Sequence, residues 1–139
     1  MITNTSITLY NRYVVSGAEK YQRTVISAVA FEQRLASRSN LSDNTARVFI
    51  PHDLGTNYLD PIPWLALAVK TGKWTLNEGD VIVKGTVTDE IVAAVISPPS
   101  PAVTMTNLQA KYDFIFTIVS VSSMDAGSSR MHHWDVGLK

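Results

Sequence analysis

Apolar and polar residues alternate along much of this chain with a period of two. That spacing puts successive side chains on opposite faces of a β-strand. Ile7-Thr8-Leu9-Tyr10 alternates in this way and predicts a first strand, which Tyr13-Val14-Val15 resumes after Asn11 and Arg12. Ser16-Gly17-Ala18-Glu19 reads as a turn. Over 22–34, Val25, Val29 and Phe31 share one face, and Ile26, Ala28 and Ala30 share the other. The β-branched run Thr24-Val25-Ile26 favours a strand, although the alanines and the 31–36 tail also tolerate a helix. Residues 45–50 predict a further strand with Ala46, Val48 and Ile50 on one face, ended by Pro51.

Residues 37–44 form a polar stretch with little core potential, and predict a long flexible loop. Residues 64–69 suit a short helix or a packed turn. Trp74-Thr75-Leu76 and Val81-Ile82-Val83-Lys84-Gly85 flank Asn77-Glu78-Gly79-Asp80, the strongest hairpin signal in the chain. An extended stretch over 87–96 precedes the stiff connector Ser97-Pro98-Pro99-Ser100-Pro101. Leu108 and Tyr112 stand four residues apart, so 105–112 suits a short helix. Residues 114–121 are apolar on both faces, as in a fully buried central strand. A loop over 122–129 and a last strand over 130–136 follow. Seven or eight short strands with no βαβ rhythm predict one mainly β domain over 1–139. The expected form is a small antiparallel barrel or sandwich with one or two short helices.

Composition narrows the class. Charged residues make up only 17% of the 139 residues, so Ser, Thr, Asn and Gly must cover much of the surface. Such a surface suits burial against neighbouring subunits as well as water. Lys and Arg together number 12, as do Asp and Glu. That balance argues against a dedicated nucleic-acid or anionic-membrane binder and makes self-association electrostatically cheap. The chain has no cysteine, which excludes disulfides, thiolate catalysis and Cys-based zinc sites. Met1-Ile2-Thr3-Asn4-Thr5 has no export signature, and the apolar runs near 91–96 and 114–121 fall short of the roughly 20 residues of a membrane helix. A soluble protein made without export is expected.

Few residues invite chemistry. In His132-His133-Trp134-Asp135, strand geometry puts the two histidines on opposite faces, so they cannot jointly chelate one ion. His52 is the only other histidine, and nothing in the sequence places it nearby. No metal or cofactor is expected on a count that needs three or four ligands. Asp80, Asp89 and Glu90 offer carboxylates, but Asp80 sits where a turn-stabilising aspartate belongs. No nucleophile elbow, phosphate loop or dinucleotide fingerprint is present. A serine triad assembles only in space and is not readable from sequence. Trp64, Trp74 and Trp134 suit core packing, with interface anchoring as the alternative.

Three segments together resemble a family. They are Thr8-Leu9-Tyr10-Asn11-Arg12 with Tyr21-Gln22-Arg23-Thr24-Val25-Ile26, then Trp74 through Gly85, then Met131-His132-His133-Trp134-Asp135-Val136-Gly137. Their order and spacing resemble small uncharacterised proteins of tailed bacteriophages and prophages of gut and anaerobic bacteria. Leu138 stands where that family would have a second glycine. Genes of this kind lie in the head-to-tail region, and the central motif is similar to a hairpin of head-closure (stopper) proteins. The resemblance implies a structural, non-enzymatic virion protein, a homo-oligomeric ring in the phage neck. It would contact portal, adaptor and tail proteins and let DNA pass without sequence-specific binding. A tail terminator or other minor capsid protein is the alternative, and a small ligand-binding barrel or enzyme a more distant one. The expected interface residues are Arg38, Ser39, Asn40 and Leu41 of the polar loop, with Trp74, His132, His133 and Trp134.

Overall fold

The structure is a computed structural model; it describes residues 5–34, 45–87, 112, 114–128 and 131–139. Six strands carry these residues: β1 (Thr5–Val15), β2 (Ala18–Arg34), β3 (Thr45–Pro51), β4 (Val81–Lys84), β5 (Ile115–Met124) and β6 (His133–Leu138). A 3-10 turn (His52–Asn57) and the short helix α1 (Pro61–Leu65) lie between β3 and β4. The six strands pair only in antiparallel fashion with one another, and the order β1-β2-β3-β6-β5-β4 returns to β1. The mainly β class is therefore as predicted. Closing the ring gives each strand a neighbour on both sides, which deals with the edges that an open sheet leaves exposed.

Two strands turn the corners of this ring. β2 pairs with β1 through its first part and with β3 from Ala30 onward. Between Ile26 and Val29 it carries one residue more than β1 opposite, and Ala28 takes a positive φ of 63°. This β-bulge resets the alternation, so Ile26, Val29 and Phe31 all point inward while Val25 is exposed. The faces expected from strict period two are thus wrong beyond Ile26, because the bulge inserts a step that the hydrophobic pattern does not announce. β5 behaves likewise, pairing with β4 over 115–117 and with β6 from Ile118, with an extra residue at Val119. It is not the fully buried strand expected over 114–121: Phe114 and Val119 are about half exposed. Strands that switch partners through bulges are how two sheets join at a corner.

The core follows the inward positions. Ile7, Leu9, Val29, Val48, Ile50, Ile82, Ile118, Val136 and Leu138 are fully buried or nearly so and pack in one cluster with Trp74 and Trp134. Each such aliphatic side chain contributes roughly 1.5–3 kcal/mol by leaving water. Residues 46, 48 and 50 share the buried face of β3, as predicted. A second cluster of Tyr10, Val81, Val83 and Val87 lies on the other face of β1 and β4. This explains why both faces of those strands read as apolar.

The hairpin signal at 74–85 is not realised. β4 pairs with β1 and β5, while Trp74 makes only an isolated parallel bridge to Tyr58. The partner that Thr75 lacks in a strand is the Asn11 side chain. Asn11 Nδ2 donates to the Thr75 carbonyl (2.7 Å), and Thr75 N–H donates to Asn11 Oδ1 (3.2 Å). Asn11 Nδ2 also donates to Asp80 Oδ2 (2.7 Å). Asp80 further accepts from the backbone N–H of Arg12 (2.9 Å) and of Asn77 (3.2 Å). The predicted turn role of Asp80 holds, but the turn docks on β1 rather than closing a hairpin. The loop expected over 37–44, the strand and connector over 88–101 and the helix over 105–112, Tyr112 apart, lie outside the described residues.

Candidate functional site

Two surfaces merit description. The first is an arm. β4 covers β1 only from Ile7 to Tyr10, so beyond that point β1 and β2 continue as a two-stranded ribbon to Val15 and Ala18. Its tip is a two-residue turn with positive φ at both Ser16 (52°) and Gly17 (79°). That combination marks a type I′ turn, whose twist matches that of the strands it joins. α1 and the segment after it prop the arm. Tyr13 meets Trp64 edge-on at 5.7 Å, and Lys70 Nζ stands 4.9 Å from the Tyr13 ring centre and 5.3 Å from that of Trp64. Trp64 is buried and donates its indole N–H to the Lys73 carbonyl at 3.1 Å. Glu19 accepts from Tyr21 and Arg12, both at 2.6 Å. These bonds hold its carboxyl below the usual range, and burial with the bond to Glu19 pushes the Tyr21 phenol up. Around this braced arm Val14, Val15, Ile62, Leu65 and Val69 are exposed, Val69 at 72% and Ile62 at 84%. A groove between the arm and the 65–70 segment runs past Val14, Val15, Leu65 and Leu67.

The second surface is a histidine cluster. Antiparallel pairing of β3 with β6 puts Pro51 opposite His133, so the residue after β3 meets the residue before β6. His52 N–H donates to the His132 carbonyl at 3.0 Å, and the two rings stand 5.9 Å apart. His52 Nδ1 lies 3.6 Å from Asp125 Oδ1, in the loop that leaves β5. Ligand atoms of His52, Asp125 and His132 all lie within 4.8 Å of one another. Around them, Ser123 Oγ donates to Asp125 Oδ1 (3.1 Å) and contacts His52 Nε2 (3.4 Å), and His132 Nε2 contacts the Gly127 carbonyl (3.3 Å). The His52 ring lies 4.2 Å from Trp134, which in turn packs on Tyr58 and Trp74. Gly55 touches this stack so closely that an added Cβ would come within 2.6 Å of Trp134.

The predicted residues sort as follows. Trp74 and Trp134 are 3% and 8% exposed and belong to the core, so the interface role assigned to them is withdrawn. They are too large to be left outside a ring whose interior they fill. His132 and His133 do part company, although His132 stands just before β6 rather than in it. His133 Nδ1 contacts the Met131 carbonyl (2.8 Å), and its ring meets that of Phe49 edge-to-face with centroids 5.5 Å apart. Nothing in the sequence places His52 near them; the β3–β6 register does, beside His132. Arg38, Ser39, Asn40, Leu41, Asp89 and Glu90 lie outside the described residues. His52 and Asp125 were missed because only the non-local pairing of strands brings them together.

Ser123, His52 and Asp125 also carry the residue types of a serine triad. Their geometry opposes that role, because the Ser123 hydroxyl donates to Asp125 itself, the group that should orient the histidine.

One family model covers residues 2–139, described as "Family of unknown function (DUF6751)". The chain belongs to that family. No curated protein and no solved structure matches the chain. Membership accounts for nearly the full length of the chain, and the barrel, the arm and the histidine cluster all fall within it. Among the described residues no helix is long and apolar enough to cross a membrane.

Proposed function

We propose that the protein is a structural subunit of a tailed-phage virion, a ring component of the neck of the head-closure (stopper) type. The observation that carries this reading is the braced β1–β2 arm with its exposed apolar side chains, set on a closed strand ring. A ring of identical subunits is built from heterologous contacts, in which one patch on each subunit meets a different patch on the next. The arm and the 62–69 segment supply one such patch. Val119, Met124 and Met131, on and after β5, are further exposed apolar side chains on other elements, available to the second contact. The sequence resemblance supplies the location, in the neck between portal adaptor and tail. The central motif no longer contributes a hairpin to that resemblance, so its support is that of sequence alone. In this role the chain works mechanically: it seals the filled head, presents a tail attachment surface and lets DNA pass.

Light scattering after size exclusion, on the chain alone and mixed with the portal and adaptor of the same phage, tests the reading. A discrete ring or a stoichiometric complex is expected. Val15→Lys with Val69→Lys should abolish it while leaving the circular dichroism spectrum unchanged. A chain that stays monomeric in every mixture, or is missing from purified virions, would sink the proposal.

A further inference from the structure

We propose that His52, Asp125 and His132 form a binding site for a divalent first-row transition metal of the zinc class. The inference stands independently of the neck reading. Three separate segments converge there: the turn after β3, the loop after β5 and the entry to β6. Two imidazoles and a carboxylate are the donor set that such ions take. Three protein donors leave one position of a tetrahedral site open to water, the arrangement that separates open sites from closed structural ones.

The spacing suits a site that closes on its ion. Donor atoms about 2.0–2.2 Å from a tetrahedral zinc lie roughly 3.3–3.5 Å from one another. The His52–Asp125 pair is already at 3.6 Å, and the widest separation in the cluster is within 4.8 Å. Asp125, 67% exposed on a loop beside Gly127, has the freedom to close the remainder.

The surroundings have the features of an outer shell. Metal-bound histidines characteristically engage their second ring nitrogen with an oxygen partner, which fixes the tautomer and the ring plane. Here the Nε2 of His52 contacts Ser123 Oγ and the Nε2 of His132 contacts the Gly127 carbonyl. Ser123 at the same time holds the Asp125 carboxylate. Trp134 backs the His52 ring, which fixes one donor against the core. A bound ion would add a link from Asp125, in the loop after β5, to the turn after β3 and the entry to β6, beside the backbone bond that already joins His52 to His132.

The test is calorimetric titration of the tag-free full chain with zinc chloride, alongside cobalt(II) absorption in the visible. About one ion per chain is expected, with a cobalt band that marks nitrogen and oxygen coordination. Asp125→Ala, at an exposed position where folding is not at issue, should weaken zinc binding at least ~10-fold, and His132→Ala at least as much. His133→Ala should leave it unchanged. The absence of saturable binding to the unaltered chain would overturn the proposal. Binding that survives both Asp125→Ala and His132→Ala, or that falls equally in His133→Ala, would also overturn it.

Discussion

Asp80→Asn separates two forces that act on one buried carboxylate. Asp80 is 2% exposed and accepts three hydrogen bonds, from Arg12 N–H, Asn11 Nδ2 and Asn77 N–H. Burial disfavours its charged form and the hydrogen bonds favour it, and burial wins, pushing the carboxyl from 3.8 to about 6. The folded protein therefore keeps this proton up to about pH 6, whereas the unfolded chain releases it near 3.8. Between those values the native state binds more protons, so the contribution of Asp80 to stability is complete below pH 3.8 and is lost as the pH rises through 6. A shift of about two units corresponds to about 3 kcal/mol. Asparagine cannot ionise, and it sets an NH2 group where one oxygen accepted, which adds a pH-independent cost of about 1–3 kcal/mol. Urea unfolding of both proteins at several values from pH 3.5 to 7 gives the difference in stability, in which other carboxyls cancel. That difference should shrink by about 3 kcal/mol across the range. A flat difference would show that Asp80 titrates alike in both states. A difference that grows with pH would show that the three hydrogen bonds outweigh burial, which reverses the argument.

Other outcomes follow from single contacts. Gly55→Ala places a methyl carbon against Trp134 and should cost about 1–3 kcal/mol, read as a lower thermal midpoint with reduced tryptophan near-ultraviolet ellipticity. Ser16→Asn puts the preferred residue at the first positive-φ position of the arm turn and should raise stability by a few tenths of a kcal/mol to about 1, read by the urea midpoint. Leu9→Ala empties a fully buried site and should cost about 2–5 kcal/mol in the same measurement.

Strand content was readable from the period-two alternation, and for β3 the inward face of Ala46, Val48 and Ile50 was readable residue by residue. The two bulges were not. Ala28 and Val119 look like ordinary strand residues, and the extra step each supplies is visible only against the strand opposite. The hairpin at 74–85 misled because its local signals were sound: a glycine-bearing turn between apolar runs. What decided otherwise was Asn11, more than 60 residues away, whose amide occupies the backbone groups of Thr75. The histidine cluster was hidden for the same reason. His52 follows β3 and His132 precedes β6, and only the pairing register of those strands shows that the two meet.

The position of β6 in the ring has a consequence for the order in which the molecule can be made. β6 pairs with β3 on one side and with β5 on the other, Leu138 standing opposite both Ala46 and Ile118. While a ribosome is still adding residues 133–138, β3 and β5 each have one unpaired edge and the barrel interior stands open. Everything up to β5 must wait in a form able to receive the strand. Closure of the ring therefore waits on β6, the last of its strands in chain order, and a chain halted before residue 133 would present two adhesive edges to its neighbours rather than a smaller version of the domain.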